Sequence, residues 1–173
     1  MTTSRTDYDI TKEAKERGEK EAKEKEASVV SLRPRKYGMS YYEAASQLFA
    51  DYAWYIDLRD VDGIGSLYSD DAEMTIEIAG AQTAGPFSGR ATIMAFIGSA
   101  MSGLTDQRRH VITNVRVESV SEDELTATAF LTLVIIEGGE LRVQTTGVYR
   151  LLAVRSPDGL RIRRMHLSLD RPY

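Results

Sequence analysis

RRHVITNVRVESVSEDELTATAFLTLVIIE (residues 108–137) holds two long strand-type runs joined by Ser121-Glu122-Asp123-Glu124, a polar turn. Two more runs follow, ELRVQTTGVYRLLAV (140–154) and LRIRRMHLSL (160–169), after the turn signals EGGE and SPDG. Successive hairpins of this kind make an antiparallel meander. The runs exceed the usual five or six residues of a strand, so a sheet built from them must twist and curl.

Upstream, SYYEAASQLFADYAWYIDLRD (40–60) reads as one long amphipathic helix. Ser40 and Glu43 form a capping-box signature, and no Gly or Pro interrupts the stretch. Leu48, Tyr52, Tyr55 and Arg59 recur at helical spacing beside the row Ala45, Phe49 and Ile56. Residues 61–72 read as a short helix and turn, 72–80 as a strand with Met74, Ile76 and Ile78 on one face, and 79–89 as a Gly-rich loop. A third helix is expected over 89–101, with Ile93, Phe96 and Ile97 on one face. Helices followed by a curled sheet define an α+β fold, a curved antiparallel sheet wrapped around N-terminal helices with a pocket between them.

Composition sets the outer limits. The 173 residues suit one domain plus an extra segment, and 42% hydrophobic residues are enough for a core. A net charge of −4 gives no reason to expect nucleic acid, and without cysteine there is neither a disulfide framework nor a Cys-based zinc site. No apolar run is long enough to span a membrane and the N-terminus is unlike a signal peptide, so a cytoplasmic protein is expected. Residues 1–38, with ten basic and eight acidic residues, read as a charged arm and linker before a domain at 39–173.

Candidate chemistry is confined to few residues. Asp57 sits among Leu58, Val61 and Ile64. It is either a surface carboxylate paired with Arg59 or Arg90, or a sheltered one that needs a partner. His110 shares strand parity with Ile112, Asn114 and Arg116, a mixed face that parity alone does not assign inward or outward. His166 reads as structural or surface. No metal-ligand spacing, phosphate loop or Gly-x-Ser-x-Gly is present, which leaves acid–base chemistry by an Asp–His pair with tyrosines as donors. No cofactor is called for.

The segments YAWYIDLRDVDGIGSLYSDDAEMTIE (52–77), FSGRATIMAFI (87–97) and RRHVITNVRVESVSEDE (108–124) resemble the SnoaL-like division of the NTF2-like superfamily. That group includes scytalone dehydratase, bile-acid 7α-dehydratases, hexachlorocyclohexane dehydrochlorinase and polyketide cyclases. The resemblance implies a pocket in which Asp57 meets His110, with Tyr52 as a further catalytic residue. Scytalone dehydratase has a tyrosine where this chain has Ile56, and a second histidine where it has the Gln144–Thr146 region. Arg164 is the counterpart of a cationic residue in the dehydrochlorinase. The expected activity is a dehydratase-type lyase acting on a small hydrophobic cyclic, steroid-like or polyketide-like substrate. An isomerase or cyclase using the same pair, or a non-catalytic binding protein, is the alternative. Trp54, Tyr55, Phe96, Ile97, Asn114, Gln144, Thr146 and Arg164 are the expected substrate contacts. A homodimer or homotrimer is expected, because alternate residues on both faces of 124–137 are apolar.

Overall fold

The computed structural model describes residues 40–81 and 83–172. The charged arm expected over 1–38 lies outside the described residues. Helix α1 spans Tyr41–Leu58 and starts on the expected capping box. Ser40 Oγ accepts from the Glu43 N–H at 3.2 Å, and the Ser40 N–H donates to Glu43 Oε2 at 2.6 Å. The Ser40 backbone N–H first, and the Ser40 hydroxyl second, hold the Glu43 carboxyl below its usual value. Ser40→Ala is expected to remove about 1 kcal/mol and lower Tm by roughly 2–4 °C. An unchanged melting curve would show that the box contributes nothing.

The helix ends at Arg59, which takes the left-handed conformation (φ 57°) usually left to glycine. Asp60 then caps α2, Val61–Leu67, by accepting from the Gly63 N–H at 2.8 Å. Strand β1 runs from Tyr68 to Ile78, beginning before the strand expected at 72. Residues 79–89, read above as loop, contain strand β2, Ala84–Ser88, paired antiparallel with β1. Its shortness and its Gly and Pro hide it, since Pro86 is tolerated only because β2 is an edge. Gly85 lies at φ 97°, and a Cβ there would meet the Met74 carbonyl at 2.7 Å, so the pairing needs glycine.

Helix α3 spans Arg90–Met101, and strands β3 (Gln107–Val120), β4 (Glu124–Glu137), β5 (Glu140–Ser156) and β6 (Gly159–Leu169) follow. The strand order is β2-β1-β6-β5-β4-β3 in one open, curved sheet. The last four strands form the expected antiparallel meander. The sheet as a whole is mixed, because β1 lies parallel to β6, a long-range pairing that local turn signals do not reveal. Alternate residues of β4, including Leu125, Leu131, Leu133 and Ile135, are buried under α1 and the neighbouring strands' inner faces. Leu48, Phe49 and Tyr52 of α1 and Ile93 and Ile97 of α3 complete this core.

Of the sheet's several bulges, two reset the side-chain alternation beside the cavity. In β3 the pairing shifts between Thr113 and Arg116, with Asn114 at φ 54°. Arg108, His110 and Ile112 turn inward before the bulge, and Val115 and Val117 after it. In β5 the register steps from Leu133↔Thr145 to Val134↔Val143, leaving Gln144 as the extra residue. Buried Thr145, Gly147 and Tyr149 face inward on one side of it, and Gln144 and Arg142 line the interior on the other.

Candidate active site

Asp57 lies in the last turn of α1, and His110 near the start of β3, where the strand passes the helix end. Both Asp57 carboxylate oxygens accept the His110 backbone N–H, at 3.0 and 3.1 Å. Oδ1 also lies 2.6 Å from the ring Nδ1. One carboxylate thus holds the strand and orients the imidazole on it. A carboxylate offers only acceptors here, so Nδ1 carries the proton and Nε2 is left as the basic nitrogen. The side chains are 14% exposed for Asp57 and 9% for His110, which shelters the pair from water.

The surface pairings left open for Asp57 are not formed. Arg90 meets Asp70, and Arg59 reaches both the carbonyl and the carboxylate of Asp106. Arg108 Nε bonds the same carboxylate at 3.0 and 3.1 Å. This Arg59–Asp106–Arg108 clasp ties the end of α1 to the start of β3, next to the Asp57–His110 contact.

The pair opens onto a cavity of about 510 Å³. Met74 and Ile76 of β1, Phe96, Ile97 and Met101 of α3, Ile135 of β4 and Leu167 of β6 supply apolar walls. Tyr52, Tyr149 and Gln144 add polar groups, and Arg142 and Glu137 stand at the solvent end. Tyr52 and Asp57 are five residues apart, about 140° around an ideal helix, yet both line the cavity because it wraps the helix end. Tyr52 is 2% exposed and meets Tyr68 and Tyr149 edge-on, with ring centroids 6.4 and 5.7 Å away. Burial, and then the neighbouring Tyr52 and Tyr149, push the Tyr68 hydroxyl well above the usual phenol value, so it stays neutral and able to donate.

Phe96, Ile97 and Gln144 take the lining positions expected for them. Five other expected contacts fall outside this cavity. Trp54 is 66% exposed, because two helical steps, about 200°, separate it from buried Tyr52. Tyr55 packs against Gly63 of α2. Asn114 occupies the β3 bulge and is exposed. Thr146 shares sequence parity with Gln144, but the bulge places it on the opposite face, where its hydroxyl donates to Asp170 at 2.5 Å. Arg164 lies between buried Ile162 and Met165 and is exposed, paired in register with Glu73. His166 lies near Glu77 and Ser168, away from the cavity, as its structural reading implied.

Tyr149, Met74, Ile76, Ile135 and Leu167 line the cavity but were not among the expected substrate contacts. Their signal was the alternation of apolar residues on β1, β4, β5 and β6, which marks core and cavity wall alike. Asp106 had a fainter signal, an acid placed just before Arg108 and Arg109. Among the described residues no three His, Asp or Glu side chains gather as a metal site, and no helix is long and apolar enough to cross a membrane.

Solved structures share this architecture. An NTF2-like protein with a cystatin-like fold from Novosphingobium aromaticivorans superposes with TM-score 0.60 at 24% identity, over 73% of this chain and 80% of its own. ActVI-ORFA from Streptomyces coelicolor gives TM-score 0.64 at 21% identity, over 75% and 96%. Aln2 from another Streptomyces gives 0.62 at 22%, over 75% and 89%. No curated protein matches the chain. The fold is therefore NTF2-like. Residues 39–166 match the family model of the SnoaL-like domain, and the chain belongs to that family.

Proposed function

We propose that the chain is a lyase that eliminates water from a small hydrophobic cyclic or polyketide-like β-hydroxy carbonyl compound. The observation that carries this reading is the 2.6 Å contact of Asp57 with His110 at the polar end of an apolar cavity. His110 Nε2 takes a proton from the carbon next to the carbonyl. Asp57 holds the Nδ1 proton and stabilises the imidazolium that forms. The C–H electrons become the new C=C bond, the C–O bond breaks, and the departing hydroxide leaves as water with a proton from Tyr52 or the imidazolium. The Tyr52 hydroxyl, backed by neutral Tyr68, alternatively donates to the oxygen of the developing enolate.

A second reading keeps the pair and omits the leaving group. Ile56, which lines the cavity beside Asp57, offers no acid to a departing group. That favours an isomerase or cyclase, in which the imidazolium returns its proton to another atom of the same skeleton. The discriminating experiment incubates the protein with β-hydroxy ketones and polyketide-like aromatics in deuterated water, followed by mass spectrometry. Loss of water supports the lyase. Deuterium exchange without mass loss supports the isomerase or cyclase. Ligand binding with neither outcome would reduce the protein to a non-catalytic binder.

We further propose that it works as a homodimer or homotrimer through the outer face of the sheet. Val111, Phe130, Leu141 and Val143 are exposed there on three adjacent strands, and Phe130 is 52% exposed. A contiguous apolar patch on a strand face is typical of an interface. Light scattering should give a multiple of the 19.3 kDa chain mass, and a monomer would sink the idea.

A further inference from the structure

Gln144 presents a buried side-chain oxygen, Oε1, with no hydrogen-bond partner among the described residues. Buried acceptors are nearly always paired, so an orphan calls for an explanation. Its neighbours do not supply one: the Gln144 main-chain carbonyl accepts from Arg171 Nε at 2.8 Å, and Thr145 and Thr146 are satisfied elsewhere. Gln144 is also the extra residue of the β5 bulge, the device that re-aims it from the outer face to the cavity lining. Leucine would suit the apolar walls of Ile135 and Leu167 without stranding an acceptor. A bulge that turns an unpaired acceptor inward marks a place where a ligand completes the bond.

We infer that Gln144 Oε1 accepts a hydrogen bond from a hydroxyl on the ligand, so that the cavity selects a fused-ring alcohol or phenol over the same skeleton without a donor. The inference rests on the reading of this cavity as the ligand site. Ring size follows from register. His110 pairs with Leu133, and Leu133 with Thr145, next to Gln144. The two polar groups therefore stand two strands apart, roughly 10 Å at the backbone. A skeleton reaching both needs two or three fused rings rather than one. The volume of about 510 Å³ lies within the range usual for such ligands.

The test uses 2-naphthol and 2-methoxynaphthalene, which share a skeleton but differ in the donor, titrated calorimetrically into wild type, Gln144→Leu and His110→Ala. Wild type is expected to bind 2-naphthol roughly tenfold more tightly. Gln144→Leu should abolish that preference while raising Tm by a few degrees, because the stranded acceptor is gone. His110→Ala should keep the preference. A preference that survives in Gln144→Leu overturns the inference, as does a wild type that binds neither probe. Loss of the preference in His110→Ala alone assigns the hydroxyl to the imidazole, which overturns the inference and leaves the acid–base reading standing. Conversely, if the preference tracks Gln144 while the deuterium assay shows no chemistry, the inference stands and the lyase does not.

Discussion

His110→Ala is expected to lower deuterium exchange or elimination by about 10²–10⁴-fold, the usual worth of a positioned base, with ligand binding little changed. The cavity walls come from other elements, so truncating the imidazole removes the basic nitrogen and leaves the apolar enclosure. Asp57→Asn should cost about as much, for a different reason. Its amide oxygen can still accept the His110 main-chain N–H, so the strand stays docked. Its NH₂, however, can donate to Nδ1 and drive the ring proton to Nε2, where a base is needed. Because the two residues act as a unit, the double variant should lose little more than either single one. Steady-state rates beside calorimetric affinities check this. Activity within tenfold of wild type in His110→Ala, with binding intact, would remove the pair from the mechanism.

Gly147→Val is expected to cost about 3 kcal/mol or more, and to lower Tm by roughly 6–12 °C if the protein folds at all. Gly147 sits on β5 opposite Leu131 and Leu169, and its φ is not the issue. A Cβ there would collide with the Ser168 carbonyl oxygen and lie 3.2 Å from the Leu169 Cα. Both neighbours are backbone of β6, which cannot step aside without opening the β5–β6 pairing. Gly103 is the natural contrast: nothing lies within 4 Å of a Cβ built there, although its φ of 79° strains any other residue mildly. A thermal melt of the Gly147 variant matching wild type would mean that β6 is not held as closely as described.

Local rules carried the fold far. The capping box at Ser40, the helical row through Tyr52 and the hairpin turns of β3 to β6 all follow from spacing and turn chemistry. Asp57 and His110 were singled out as well, although their meeting is a contact over 53 positions that no local pattern encodes. What escaped was non-local or was an exception to alternation. Strand β2 exists because β1 offers an edge to Gly85 and Pro86, and the parallel β1–β6 pairing joins segments far apart in the chain. The mixed face around His110 has a simple cause. Parity counts Asn114 and Arg116 with His110, and the bulge at Asn114 breaks that count. The same error linked Thr146 to Gln144.

Those two bulges make the site a matter of phase. Each is one surplus residue that shifts a strand by half its repeat, so that a polar residue faces the cavity at one end while the apolar rows face the core at the other. Substitution alters one side chain at a time, whereas deleting a single codon at position 114 or 144 would invert every residue on one side of it. Loss or gain of one residue in β3 or β5 is therefore a far shorter path to a new cavity lining than point substitution, with the core rows carried over unchanged.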